Sequence, residues 1–371
     1  MLFLSLELVS LTLYILASFN QRQAPASEAA LKYFLFGSVA AGCMLYGFSL
    51  LYGFAQTTQL TELAVALAGQ PMEPLLALGL ILVLAGFGFK VAAVPFHLWA
   101  PDVYQSAPVP SAALIAAGSK VAGFFILAKL LTVGLSGLEG SGGWGAYEAG
   151  WVPFILVLAA FSMVLGNLAA LAQRHSVRRL LGYSAIAHGG YILLGLGAGT
   201  ASGVQAVLFY IVIYGLTAIG AFAVVGIVQN SRGGERPEDF AGLSREMPGI
   251  AFCFLVFLIS LAGIPPLAGF FGKFQLFLAA LDSTAGLASG GGLLWLIVLG
   301  VGLNAVSLYY YLLVLKQVYL APTPAAATEE SPSVTNAWPV QAVVLLTTAA
   351  VILAGLFPQQ LLSLISTQSG L

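Results

Sequence analysis

The chain has 371 residues, of which 60% are hydrophobic and only 7% charged, and its formal net charge is −1. Soluble domains carry about 25% charged residues, so this composition excludes a chain whose surface is covered by water. It also excludes a β-barrel, whose strands alternate polar and apolar residues over about 10 positions; the apolar runs here are continuous and reach the roughly 20 residues that a spanning helix needs.

In chain order, the runs predict about ten membrane-spanning helices, near residues 1–19, 28–54, 75–103, 109–133, 151–172, 177–198, 203–228, 248–283, 290–316 and 337–360. The first run lacks a basic start, is long enough to span and carries Glu7 in its middle, which argues against a secretory signal. The third and eighth are too long and too interrupted to be plain helices. Pro95 breaks the third, and Pro265 and Pro266 break the eighth, because a mid-helix proline removes a backbone donor and clashes with the preceding turn. Broken helices persist at membrane depth only where protein or a hydrated cavity satisfies the freed backbone groups. The polar stretches 136–150, 229–247 and 320–336, and the glycines Gly290, Gly291 and Gly292, read as surface loops. Cys43 and Cys253 stand singly in apolar runs, so no disulfide framework, zinc site or iron–sulfur motif is expected.

Charge gives an orientation. Taking alternate loops as the two sides, one side gathers Arg22, Arg174, Arg178, Arg179, Arg232, Arg236 and Arg245, with Lys32 and Lys316 at helix ends. The other side has Lys129 alone, and its loops carry Glu62, Glu73, Glu139 and Glu148. Positive residues stay cytoplasmic, so both chain ends are expected on the outer side. Arg178, counted among these loop arginines, is expected to matter far less to transport than the charges inside the membrane.

Those interior charges are Glu7, Lys90, Lys120 and Lys273. Each costs about 2.5–3.5 kcal/mol at the centre of an inserted helix, so partners, water or function must compensate. Lys120 lies about 11 residues, or roughly 17 Å, into its helix, close to the bilayer midplane. Lys90 precedes Pro95 and Lys273 follows Pro265 and Pro266, so two lysines accompany two breaks. A neighbouring carboxylate favours an ammonium and desolvation disfavours it, so groups of this kind can pass a proton by changing which neighbours are charged. His97, just after the first break, and His188, well inside the sixth helix, are further relay candidates because imidazole titrates near neutral pH.

The stretch GFGFKVAAVPFHLWAPDVYQSAPVPSAALIAAGSKVAGF at 85–123 resembles the signature of antiporter-like subunit N of respiratory complex I, the proton-pumping NADH–quinone oxidoreductase. LELVSL around Glu7, RRLLGYSAIAHGGY at 178–191 and GIPPLAGFFGKF at 263–274 agree with it, in order. The resemblance implies an all-α membrane fold of two inverted antiporter-like five-helix repeats, each with one broken helix. It implies a first repeat over 1–133, an outward loop at 134–150, a second repeat over 151–319, a cytoplasmic loop at 320–336 and a final spanning helix and tail over 337–371. The family usually has four further helices ahead of the one carrying the glutamate, so the first repeat is expected to be incomplete at its front. The resemblance further implies that Glu7 pairs with Lys90, that Lys120 is the central relay lysine, that Lys273 belongs to the second broken helix, and that His97 and His188 lie on the same polar axis.

No cofactor or metal is expected on this chain. NADH, FMN, iron–sulfur clusters and quinone would sit in other subunits, and the implied partners are the remaining membrane-arm subunits, sister antiporter-like subunits among them, in a bacterial-type inner membrane and without nucleic acid. Two other readings compete: an Mrp-type or stand-alone cation/proton antiporter, and a structural scaffold subunit.

Overall fold

In hydrocarbon each unpaired backbone group is costly, so an apolar chain of this kind must satisfy its amides within each segment and forms helices. The computed structural model describes residues 1–19, 24–143, 146–283, 293–323 and 338–368. Arg22, the glycines Gly290 to Gly292 and residues 324–336 of the last polar loop lie outside these described residues.

The order is α1 (Leu2–Ala17), α2 (Ala24–Ala55), α3 (Leu60–Leu67), α4 (Pro74–Val91), α5 (Trp99–Ser106), α6 (Val109–Leu114), α7 (Lys120–Lys129), α8 (Trp151–Leu171), α9 (Val177–Gly197), α10 (Ala201–Arg232), α11 (Leu243–Glu246), α12 (Pro248–Ala262), α13 (Ala268–Leu281), α14 (Leu294–Leu320), α15 (Trp338–Leu356) and α16 (Pro358–Gln368). The π-helical turn Ile115–Ser119 joins α6 to α7, and a second, Leu130–Gly134, extends α7, so that 109–134 forms one continuous rod. Among the described residues, 8 helices are long and apolar enough to cross a membrane, and α1, α12 and α13 are shorter apolar helices. Among the described residues, every predicted span contains helix, interrupted in the third and eighth. The ends differ: α10, for example, runs on through Gln229 and Arg232 to a left-handed Gly233 cap, because a helix continues into the headgroup layer after its apolar run has stopped. The stretch 136–150, expected as plain loop, contains a small hairpin with Ser141 opposite Glu148.

The two breaks share one backbone design. α4 ends on Ala92 with φ 56° and α12 on Gly263 with φ 76°, both left-handed. One residue on, the Ala93 amide donates to the Gly88 carbonyl at 2.8 Å, and the Ile264 amide to the Ile259 carbonyl at 3.2 Å. These are the long bonds of a Schellman cap. A cis peptide follows at the same spacing, Val94–Pro95 in one and Pro265–Pro266 in the other. Side chains satisfy the groups that the breaks set free. Ser162 of α8 accepts the Val94 amide at 2.9 Å, and the Trp99 indole donates to the Phe89 carbonyl at 3.2 Å. In the second break the Leu261 carbonyl would normally meet the amide of residue 265, which as proline has none. The Lys273 ammonium takes that place at 2.7 Å.

α9 runs through the middle of the molecule. All of its residues except Arg179 and Tyr183 are buried, the mark of a helix enclosed on every side. α8 lies directly on it, since a Cβ on Gly166 would overlap the Ala187 backbone and one on Gly190 would overlap Met163. Small residues permit this close approach between membrane helices.

The alternation of loops read from the sequence agrees with the contacts at the basic end. There Lys32 pairs with Glu28 at 2.8 Å and Asp102 at 3.3 Å, Arg179 with Asp102 at 2.8 Å, and Arg232 with Glu246 at 2.7 Å. Lys129 and Lys316, near helix ends, are exposed. Arg178, expected at the basic end of the sixth span, is not a surface residue. It is 7% exposed, pairs with Glu235, and donates to the Ala107 carbonyl at 2.8 Å, tying α9 to two connections. Removing one partner of a buried pair strands the other, at about 3 kcal/mol or more. Arg178→Ala is therefore expected to lower the thermal unfolding temperature in detergent by several degrees, as read by circular dichroism, while Arg236→Ala leaves it unchanged.

Candidate functional site

Glu7 and Ser10 stand one turn apart on α1, so both side chains face the end of α4. Lys90 meets them there: its ammonium lies 2.7 Å from Glu7 Oε1 and also donates to Ser10 Oγ. Lys90 is buried, whereas the Glu7 side chain keeps 20% of its exposure. Lys90 is two residues ahead of the left-handed Ala92, so the chain reversal at the first break fixes where its side chain emerges. The pairing expected between Glu7 and Lys90 is present.

Lys120 is 2% exposed. It begins α7 directly after the π-helical turn Ile115–Ser119, a local irregularity that is frequent at functional positions. Its ammonium donates to the Ala185 carbonyl of α9 and lies 5.7 Å from the centre of the Tyr214 ring. Among the described residues it has no carboxylate partner within ion-pair distance. Lys273 is 3% exposed. Besides the Leu261 carbonyl it reaches Asn304 Oδ1 of α14, and it sits 4.9 Å from the Tyr191 ring centre.

His188 of α9 is fully enclosed. Its Nδ1 is 2.6 Å from the Tyr210 hydroxyl and its Nε2 is 3.3 Å from the Tyr311 hydroxyl, which in turn pairs with Ser184 Oγ. Close by, Asn167 donates to the Tyr191 hydroxyl at 3.3 Å and accepts from the Tyr310 hydroxyl at 3.2 Å. The structure thus brings Lys120, His188 and Lys273 around one helix, with Lys90 and Glu7 beside the first break. Among the described residues no hydrogen bond joins one lysine to another. His97 does not connect to them either: it is partly buried in the first break, and its Nδ1 has no hydrogen-bond partner.

Sequence reasoning missed Ser10, Asn167, Ser184, Tyr191, Tyr210, Tyr214, Asn304 and Tyr311. A buried phenol or amide needs a partner, so Asn167 and Asn304, lone amides in apolar helices, were the available signal. Tyrosine scores as an apolar aromatic in a membrane run and gives no comparable warning.

Comparisons with known proteins bear on the family and the fold. The family model described as NADH:quinone oxidoreductase/Mrp antiporter, TM, matches residues 1–314. The chain is 51% identical over 328 residues to NADH-quinone oxidoreductase subunit N 2 of Acidobacterium capsulatum, covering 88% of this chain and 65% of that one. It is 40% identical over 369 residues to subunit N of Trichlorobacter lovleyi, covering 97% and 70%. The chain therefore spans about two thirds of the length of such relatives. Among solved structures, a chain of respiratory complex I from Thermus thermophilus superposes with a TM-score of 0.76 at 38% identity, covering 97% of this chain and 74% of that one. A chain of the Mrp complex from Dietzia sp. has a TM-score of 0.82 at 23% identity, covering 97% and 71%, a likeness of fold alone.

Proposed function

We propose, because this chain belongs to the NADH:quinone oxidoreductase/Mrp antiporter transmembrane family, that it is a proton-translocating membrane-arm subunit of an NADH–quinone oxidoreductase. The observation that carries the reading is the ion pair of Glu7 and Lys90, together with two more buried lysines, Lys120 and Lys273, that have no carboxylate partner within ion-pair distance among the described residues. Beyond the Leu261 carbonyl that Lys273 satisfies, a scaffold gains little from three ammonium groups in hydrocarbon. A proton carrier can use their exchangeable protons.

On this reading Glu7, Lys90, Lys120 and Lys273 are relay groups, and His188 bridges the last two. A carboxylate beside an ammonium stabilises its charged form, so opening the Glu7–Lys90 pair releases a proton for the next group. The protein contributes binding and electrostatics, and quinone reduction elsewhere in the assembly supplies the energy. NADH, FMN, iron–sulfur clusters and quinone belong to other subunits, and sister antiporter-like subunits are neighbours. His97 is a weaker relay candidate, since it shares no hydrogen bond with the other groups. The repeats span 1–133 and 151–319, and their matching Schellman caps and prolines support that division. The basic end faces the cytoplasm of a bacterial-type inner membrane and both chain ends face outward.

The family description also covers Mrp-type antiporters, and the fold suits either. Purification decides between them. The subunit should copurify with quinone-reductase activity that acidifies one side of sealed vesicles. Sodium export in a strain lacking that reductase, with no copurifying redox activity, would instead assign it to cation/proton exchange.

A further inference from the structure

The path between Lys120 and Lys273 contains more than an imidazole. Both ring nitrogens of His188 end on phenol oxygens, Nδ1 on Tyr210 and Nε2 on Tyr311, and Tyr311 continues to Ser184. Each end of this series of four groups abuts a lysine site. Ser184 precedes Ala185, whose carbonyl accepts from Lys120. The Tyr210 ring lies against Gly272, where a Cβ would overlap it, and Gly272 precedes Lys273. α9, α10 and α14 each contribute at least one member, and all four are buried.

We infer that Tyr210, Tyr311 and Ser184 carry protons together with His188, as a hydrogen-bonded chain that reverses its polarity with each passage. This rests on the reading that the subunit translocates protons. A proton arriving at the Tyr210 oxygen forms a new O–H bond as the original phenol proton moves to Nδ1. The imidazolium so formed breaks its Nε2–H bond and gives that proton to the Tyr311 oxygen. The former Tyr311 proton passes to Ser184 Oγ, whose own proton leaves. One proton enters, one departs and no electron moves. Afterwards Nδ1 carries the hydrogen and Nε2 is bare, so a return passage is open at once. A second passage in the same direction requires Nδ1 to lose its hydrogen, Nε2 to regain one and the hydroxyls to turn back.

Packing holds the imidazole in place, so the reset cannot come from swinging it to other partners. The rings of Tyr191, Tyr210 and Tyr214 surround His188, with centres 6.1, 6.0 and 5.3 Å away. The chain therefore acts as a shuttle whose resetting is a separate step, and a hydroxyl at 210 or 311 is part of the conducting path rather than a prop for the imidazole.

The test uses the assembled complex in sealed membrane vesicles, with Tyr311→Phe and Tyr210→Phe compared with the unaltered protein. Each keeps the ring and removes only the hydroxyl. The expected result is normal assembly, a fall of about 10-fold or more in pumping-coupled quinone reduction, and a larger solvent deuterium isotope effect on the residual rate. A purely structural role would leave the isotope effect unchanged. Lys120→Met in the same preparation separates the two ideas. If it pumps normally, the translocation reading falls, and this inference falls with it. If it stops pumping while both phenylalanine variants pump at the normal rate with an unchanged isotope effect, only the hydroxyl path is overturned. Should Tyr311→Phe fail to assemble, Tyr210→Phe decides by the same criteria. Failure of both to assemble assigns the hydroxyls to packing and also overturns the path.

Discussion

Replacing Lys90 with alanine is expected to lower proton pumping, and the quinone reduction coupled to it, by roughly 100-fold while the complex still assembles. The ammonium is 2.7 Å from Glu7 Oε1, and a positioned proton-transfer group contributes about 10²–10⁴-fold to a rate. Part of the Glu7 side chain remains exposed, so the stranded carboxylate can take up a proton or water and the fold survives. The pair then no longer switches. Glu7→Gln should have a similar effect, and Lys90→Ala with Glu7→Gln should cost little more than either alone, because two residues acting as one unit are strongly non-additive. Acidification of sealed vesicles, normalised to assembled complex, reads the result. Normal pumping in a fully assembled Lys90→Ala enzyme would remove Lys90 from the path.

Lys120→Met is expected to move stability and transport in opposite directions. Lys120 lies in a buried site whose described polar contacts are the Ala185 carbonyl and the Tyr214 ring face. Ala185 is in the interior of α9, so its carbonyl keeps its helical partner when the ammonium is gone. Methionine has a similar volume and no charge to desolvate, and exchanging a buried charge for a well-packed apolar group is often neutral or stabilising, by about 1–4 kcal/mol. The unfolding temperature should hold or rise while pumping falls about 10-fold or more. A scaffold predicts the same stability with normal pumping. Lys273→Met differs for a local reason: the Leu261 carbonyl faces Pro265, and Lys273 is its donor. Losing that donor leaves a buried acceptor unsatisfied, at about 1–3 kcal/mol. Loss of stability together with transport is therefore expected at 273, and loss of transport alone at 120, with unfolding in detergent and vesicle acidification measured on the same preparations.

The contrast between those two lysines marks how far the sequence reaches. Hydrophobic run length located every span, since the bilayer sets one thickness for all of them. The prolines located both breaks, since a missing amide is a covalent fact. Desolvation cost picked out Glu7, Lys90, Lys120 and Lys273, which the structure finds at least partly buried. The left-handed Ala92 escaped notice because alanine carries no signal for that conformation, unlike Gly263, its counterpart in the second break. The burial of Arg178 is not legible in the sequence because it depends on Glu235 and Ala107, far away in the chain.

By itself, then, the sequence determined that this is a helical membrane protein, where it is broken and which charges are out of place, because those properties belong to single residues and to their neighbours along the chain. Beyond the Glu7–Lys90 pair, which the family resemblance implied, only the tertiary structure decided what each charge touches. Lys90 meets Glu7 across 83 positions, Lys120 meets Ala185 across 65, and Tyr311 meets Ser184 across 127. Hydrogen bonds act over about 3 Å, so partners that distant in sequence become neighbours only once the helices have packed.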